Sequence, residues 1–353
     1  MFLFLHELEA LPILGNFTYG GDHIKTDNLN IYDIAKEANV SISTVSRVMN
    51  NSGSVSKKTR DKVEAIIKKS DYSPNNIARS LASNKSSLIG LLVPDIRNYF
   101  HSQACYEIDN LLKDHGYRTL LSNTTKDLDE KIKILKIQKH QMVEGIITVG
   151  SDYNEKEFID EAVELNKIIP IIQLNNYNEN LVSVYCDEKN GMDQALAYLK
   201  SNNYQKPAFV YITRSKNNRA FNEKKKGYEQ GLNKYYKDDA YIEIFLDDYS
   251  YEDLLKKIKA EGIDAIQCEN DNIAIKLFKF FTDKGLDVPG DIGIIGFDNQ
   301  LTTDYTQKRI SSIDHKIYDH SKVAVDLLLE LINDKDVKRD NVIKPELVVK
   351  ETT

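Results

Sequence analysis

Two hydrophobic periods divide this chain. Over residues 29–72 apolar positions recur three and four residues apart; from Leu88 onward they gather into short runs. In the first segment Ile31, Ile34, Ala35 and Ala38 mark one helix, with Asn30 placed to cap it. Asn39-Val40 reads as a tight turn, because asparagine tolerates the left-handed conformation such turns use. Ser41 is positioned to cap a second helix through its hydroxyl. On that helix Val40, Val45, Val48 and Met49 form one stripe, and Ile42, Ser43, Ser46 and Arg47 form another. Ser56 caps a third helix whose Val63, Ile66 and Ile67 face inward, and Tyr72-Ser73-Pro74 ends it. The following "NNIARSLASNK", residues 75–85, has only Ile77, Ala78 and Leu81 to bury. It is expected to be a linker that becomes helical only against a partner.

The second segment holds β-rich runs: "SLIGLLVPD", "YRTLLSN", "VEGIITVG", "IPIIQLN", "SVYCD", "PAFVYI", "IEIFLDD", "IDAIQCEN" and "DIGIIGFDN". Amphipathic stretches such as 100–115 and 272–284 separate most of them. Strands without polar alternation, joined by helices, predict a parallel α/β sheet covered on both faces. Nine runs exceed one small sheet, so two α/β subdomains are expected.

Charge sharpens the division. Residues 29–85 hold ten Lys/Arg against five Asp/Glu, a net +5, which leaves −12 on the rest of a chain whose total is −7. A basic head on an acidic body predicts that one segment meets phosphate and the other does not. No apolar run approaches the roughly 18 residues that span a bilayer. The opening "MFLFLHELEALPILG" carries Glu7 and Glu9 and lacks a basic start, which argues against an export signal; residues 1–28 are left as an unassigned tail. Cys105, Cys186 and Cys268 are too few and too scattered for a disulfide framework or a metal cluster, and read as buried thiols of a reducing cytosol.

Two short helices joined by a tight turn form a helix-turn-helix, whose second helix buries one stripe and offers the other to a DNA major groove. Ile42 could pack on a thymine methyl, and the fork of Arg47 can bind guanine O6 and N7 together. Ser41, Thr44, Ser46 and Asn50 are short donors suited to phosphate oxygens. Leu81 has the character of a wedge for a minor-groove base step.

The stretches "NIYDIAKEANVSISTVSRVMNNSGSVSKKTRDKV" and "YSPNNIARSLAS" resemble the DNA-binding head and hinge of the lactose-repressor (LacI/GalR) family. Later runs agree, among them "KKKGYEQGL", "GLDVPGDIGIIGFDN", "ISSIDH" and "PELVVKET". The resemblance implies a cytoplasmic transcription regulator that binds a pseudo-palindromic operator as a dimer. By position it implies that Ile42, Ser43 and Arg47 read bases, and that Tyr32, Ser41, Thr44, Ser46, Asn50, Thr59 and Asn76 hold the DNA backbone. Ala78 and Leu81 would form the minor-groove hinge. It divides the chain into a head at 29–73, a hinge at 74–86 and an effector-binding and dimerisation domain at 87–353, two subdomains like those of periplasmic binding proteins. With no leucine heptad after "PELVVKETT", a homodimer is expected rather than a tetramer.

Ligands of such sheets lie outside the carboxyl ends of the strands. Asn175, Asn270 and Asp298 end three runs, and their amides and carboxylate suit sugar hydroxyls. Tyr99 and Phe100 open the helix after the first run and could stack on a ring. By family position Lys224 and His315 join them. Lys224 stands where the family usually has an arginine, and Asn175 where it commonly has an acid. Lysine gives a point charge without a fork, so an anionic ligand such as a phosphosugar gains ground over a plain sugar. A nucleobase or a protein co-repressor are the other readings.

Asp271, Asp298 and His315 show no nucleophile–base–orienter spacing, and the sequence holds no P-loop, dinucleotide fingerprint or metal motif. Neither an enzyme nor a cofactor is expected. A solute-binding protein is the weaker alternative, disfavoured by the attached helix-turn-helix.

Overall fold

The computed structural model describes residues 31–49, 52–69, 86–213, 218–236 and 242–353. The chain divides into two compact units, residues 1–79 and 80–353.

In the first unit helices α1 (Ile31–Ala38), α2 (Ile42–Met49) and α3 (Lys57–Lys69) enclose a small core. Ile34, Ala35, Ala38, Val45, Val48 and Val63 are its buried members, and Ile66 and Ile67 pack against it. Asn39 takes φ 55°, the left-handed conformation expected of the turn. Ser41 Oγ accepts from the Thr44 amide and Ser56 Oγ from the Thr59 amide, each at 3.2 Å, so both serines satisfy helix-start donors.

The second unit is built on two six-stranded sheets. The first lobe orders β1 (Leu88–Val93), β2 (Arg118–Asn123), β3 (Gly145–Val149), β4 (Ile171–Leu174), β5 (Val182–Cys186) and β11 (Asp340–Ile343) as β11-β5-β4-β3-β1-β2, all parallel. The second orders β6 (Pro207–Tyr211), β7 (Glu243–Phe245), β8 (Ala265–Cys268), β9 (Gly293–Phe297), β10 (Ser311–Asp314) and β12 (Glu346–Val348) as β12-β10-β9-β8-β6-β7. Only β12 runs antiparallel, against β10. The parallel sheets are covered on both faces, which is why their central strands are buried and mostly apolar, with Thr148, Gln173 and Gln267 as buried polar residues among them.

The strands β10, β11 and β12 carry no hydrophobic run of their own. "SSID" is three-quarters polar and "DNVI" half polar, and each takes strand form by pairing with a more apolar neighbour. They also carry the chain between lobes. It crosses after β5, after β10 and between β11 and β12. The three crossings place the carboxyl ends of both sheets along one cleft.

Candidate functional site

Helix α2 turns Val45 and Val48 into the head's core and leaves Ile42, Ser43 and Arg47 exposed together. Ser41 Oγ lies 2.7 Å from Ser43 Oγ and 2.8 Å from Thr44 Oγ1, so hydroxyls cluster at the helix start. After the helix the Ser52 amide donates to the Arg47 carbonyl at 2.9 Å, and Gly53 folds back with φ 71°. A Cβ on Gly53 would come 3.3 Å from Arg47 Cδ. The glycine thus lets the loop lie along the arginine's aliphatic stem. Tyr32 is exposed, whereas Thr44, Ser46 and Thr59 are half-buried. Asn50, Asn76, Ala78 and Leu81 lie outside the described residues.

In the body a cavity of about 230 Å³ opens between the lobes. Phe100, Asn175, Lys224, Asn270, Asp298 and His315 all line it. Tyr99 does not. Its hydroxyl instead accepts from the Leu301 amide at 3.4 Å, joining the two lobes beside the cleft.

The cleft carries opposed charges. Lys224, on α8 (Arg219–Tyr235), is buried; its Nζ donates to the Glu269 carbonyl at 2.8 Å and lies 3.7 Å from the Phe297 ring centre. Burial pushes the Asp298 carboxyl up to about 6, against the pull of the Lys224 charge. Beside it Asp271 is fully buried, accepting from Ser312 Oγ and from the Gln300 amide, each at 2.6 Å. Burial, followed by the Asp298 charge, raises Asp271 to about 8. A Cβ at Gly296 would fall 2.0 Å from Asp271 Oδ1, so only glycine leaves room for that carboxyl.

Two polar atoms of the cleft are buried without a hydrogen-bond partner among the described residues: Asn175 Oδ1 and His315 Nδ1. Asn175 is fixed by left-handed backbone (φ 60°) and by its amide's 2.7 Å bond to the Val184 carbonyl. The His315 ring packs edge-on against Phe100 at 4.7 Å. Burial, then the charges of His320, Lys224 and Arg219, hold its pKa well below the ordinary histidine value, so the imidazole is neutral. Buried polar atoms are normally paired, and orphaned ones facing a cavity suit a ligand's hydroxyls. Asn270 Oδ1 accepts from the Ile273 amide at 3.1 Å as a helix cap, so its amide nitrogen is the group it can offer.

Several cleft residues escaped the sequence reading. Ser151 and Asp152 follow β3, and the rule that picked Asn175 would have picked them. Ser151 Oγ donates to Asn218 Oδ1 at 3.1 Å and Asn218 Nδ2 to Asp152 Oδ1 at 3.4 Å, a second contact across the lobes. Glu269 accepts from the Ile212 and Thr213 amides at 2.8 and 3.1 Å, which fixes the wall between β6 and β8. The same rule would have picked Glu269, which directly follows β8, whereas nothing local in the sequence marks Asn218.

Cys186, Glu188 and His315 hold potential ligating atoms within 4.8 Å of one another. Arg219 already donates to both Glu188 oxygens, at 3.2 and 3.0 Å, with Lys224 close by. This set neutralises a buried carboxylate with cations and does not suit a metal ion.

A helix-turn-helix with an exposed arginine face, carried with a two-lobed ligand-binding body, defines a ligand-responsive DNA-binding regulator. The family model for bacterial regulatory proteins of the lacI family matches residues 30–75, and that for a periplasmic binding protein-like domain matches residues 196–353. An HTH-type transcriptional regulator of Lachnoclostridium phytofermentans is 30% identical over 341 residues, spanning 92% of this chain and 99% of that protein. Catabolite control protein A of Staphylococcus xylosus is 30% identical over 91% of this chain and 97% of its own. The fold matches that of the Lac repressor dimer bound to operator and an anti-inducer, with TM-score 0.79 at 24% identity, over 92% of this chain and 98% of that one. The chain belongs to the lacI family of DNA-binding transcriptional regulators.

Proposed function

We propose that this protein is a cytoplasmic repressor that binds a pseudo-palindromic operator as a homodimer and is controlled by a small polyhydroxy ligand in the inter-lobe cleft. The observation that carries the DNA half is the split of α2, with Val45 and Val48 buried and Ile42, Ser43 and Arg47 exposed. Ile42, Ser43 and Arg47 read base edges. Tyr32, Ser41, Thr44, Ser46, Asn50, Thr59 and Asn76 hold phosphate, and the hinge residues Ala78 and Leu81 enter the minor groove. The operator is sought by selection from a random duplex library. Enrichment of a two-fold symmetric site supports the reading, and enrichment of nothing beyond bulk affinity rejects it.

The cleft supports ligand sensing rather than catalysis. Its donors and acceptors surround a space, and the hydroxyl–carboxylate pair in its wall, Thr213 with Glu269, is taken up by the Ile212 and Thr213 amides, which hold that carboxylate in the wall rather than freeing it as a base. Three carboxylates line it, those of Asp152, Glu269 and Asp298, against the two ammonium groups of Lys126 and Lys224. That balance favours a neutral sugar over the anionic ligand that Lys224 alone suggested. Ligand acts by preferring one relative arrangement of the lobes. The Tyr99–Leu301 and Ser151–Asn218 contacts are the ones that such a rearrangement breaks or makes. A thermal-shift panel of sugars, phosphosugars and nucleobases tests the ligand class; stabilisation by phosphosugars alone would reverse the charge argument.

A further inference from the structure

The three crossings between the lobes are tied to one another. The Asp187 amide, just past β5, donates to the Ile343 carbonyl at the end of β11, at 3.0 Å. Lys316, just past β10, pairs with Glu346 at 2.6 Å and with Asp314 at 3.4 Å. Another group reaches this pivot from a helix that is no part of a crossing. Arg219 opens α8 in the second lobe, and its guanidinium carbon lies 4.0 Å from the centre of the Tyr185 ring, on β5 of the first lobe. The same guanidinium donates to the Cys186 carbonyl at 3.3 Å and to both carboxylate oxygens of Glu188, at 3.2 and 3.0 Å. Glu188 is the first residue of the second-lobe helix Glu188–Ser201. Residues 185–188 carry the chain from one lobe to the other, and a single side chain holds both ends and the middle of that passage.

We propose that Arg219 is a splint across this crossing, a positioning residue that holds the lobes in the arrangement seen here and so sets how readily a ligand can change it. The inference rests on the reading above that ligand acts through the arrangement of the lobes, and it names the residue that resists the change. Backbone torsions at a crossing have to turn when the lobes rearrange. A turn at 185–188 draws the Tyr185 ring away from a cation that Glu188 keeps in the second lobe. Neither end yields easily. Glu188 is fully buried, so a guanidinium leaving it would strand a charge. The Arg219 side chain is only 17% exposed, which strengthens its attraction to the ring. The ring is braced in turn: the Tyr185 hydroxyl donates to Asp340 Oδ1 at 2.6 Å, and Tyr177 packs edge-on at 5.3 Å. Bonding a carboxylate while stacking on an aromatic face is arginine chemistry that lysine does not reproduce. The splint also adjoins the cleft. Asn218, the residue before it, lines the cleft and accepts from Ser151 of the first lobe, so a ligand that moves Asn218 moves the backbone of Arg219.

The test is the distance between the lobes in the ligand-free, full-length protein, read by pulsed electron paramagnetic resonance. The three native cysteines are buried, so spin labels go on Lys156→Cys in the first lobe and Lys256→Cys in the second, both exposed positions. Doubly labelled chains are diluted with unlabelled protein. Arg219→Lys keeps a charge beside Glu188, and Tyr185→Leu keeps the Arg219–Glu188 pair, so neither strands the buried carboxylate. Each is expected to shift or broaden the distance distribution, whereas Tyr185→Phe, which keeps the ring, is expected to match the parent. Anisotropy on the duplex recovered by operator selection gives a second readout: affinity is expected to change by about threefold or more in Arg219→Lys and Tyr185→Leu, its sign telling which arrangement grips DNA. If both variants keep the parent's distances, or if Tyr185→Phe changes them as much as Tyr185→Leu, the splint is rejected. If the distances change while operator affinity does not, the splint stands and the reading that lobe arrangement controls DNA binding falls.

Discussion

Lys224 Nζ is bonded to the Glu269 carbonyl oxygen, 2.8 Å away, and this contact fixes a buried cation in a cleft whose Asp298 titrates near neutrality. The ammonium charge is what opposes desolvation at Asp298. The lysine therefore acts through the field it creates as well as through any contact with ligand.

Replacing Lys224 by methionine keeps the buried stem and removes the charge. The pKa of Asp298 should then rise above about 6, and ligand affinity at pH 7 should fall by about tenfold or more and partly recover at higher pH. Calorimetry with the best ligand across pH reads this directly. Unchanged affinity at every pH would remove Lys224 from the site.

Asp298 offers a ligand's hydroxyls two charge-assisted acceptor oxygens only when ionised. Below about 6 the free protein must give up a proton before the ligand binds. Binding at pH 5 is accordingly expected to be about tenfold weaker than at pH 7.5. In Asp298→Asn that pH dependence should vanish with the affinity. A flat affinity profile in the parent protein would show that this carboxylate makes no ligand contact.

Asp271 titrates oppositely to a salt-bridged carboxylate. Its folded-state pKa, about 8, lies above the ordinary 3.8, so between those values the folded chain binds more protons than the unfolded one. Its contribution to stability is present below pH 4 and is lost as pH rises through 8. Asp271→Asn mimics the protonated acid, since an amide can donate to Ser312 Oγ and accept from the Gln300 amide. Urea unfolding from pH 5 to 8 should show a shallower loss of stability in the variant than in the parent. Equal slopes would place the ionisation elsewhere.

Gly53 and Arg47 make a paired prediction in the head. Gly53→Ala forces a side chain into φ 71° and against the arginine stem at 3.3 Å, and should destabilise the head by ~1–2 kcal/mol. It should also blur base choice, because the stem is displaced. Arg47→Ala should lose ~1–3 kcal/mol at one base pair per half-site, with little effect on stability. Fluorescence anisotropy on single-base operator variants separates the two. Uniform weakening on every duplex after Arg47→Ala would mean the arginine holds backbone only.

The head was almost fully legible in the sequence. Its helices are short and local, and Asn39, Ser41 and Ser56 act on neighbours within a few residues. The same locality exposed the face of Ile42, Ser43 and Arg47, because a helix that buries Val45 and Val48 has no other surface to turn outward. The central strands were legible because parallel strands covered on both faces have to be apolar. Of the seven residues the sequence pointed to for the cleft, six line it, for a related reason: a strand's carboxyl end is visible in the sequence as the polar residue that stops an apolar run or as the start of the next helix, and the rest are positions matched by resemblance.

What the tertiary structure alone decided lies at long range. β10, β11 and β12 have too little hydrophobic surface to declare themselves and exist by pairing across up to about 160 residues of chain. Tyr99 adjoins Phe100 in sequence, yet its hydroxyl accepts from the Leu301 amide of the other lobe and it does not line the cavity, a placement no local window shows. Asn218 became a cleft residue, and Tyr211 and Phe245 became neighbours, only when strands distant in sequence were laid side by side. Local free energy writes helices and core strands into a sequence residue by residue; the juxtaposition of strand ends is set by the packing of whole lobes, which no short window contains.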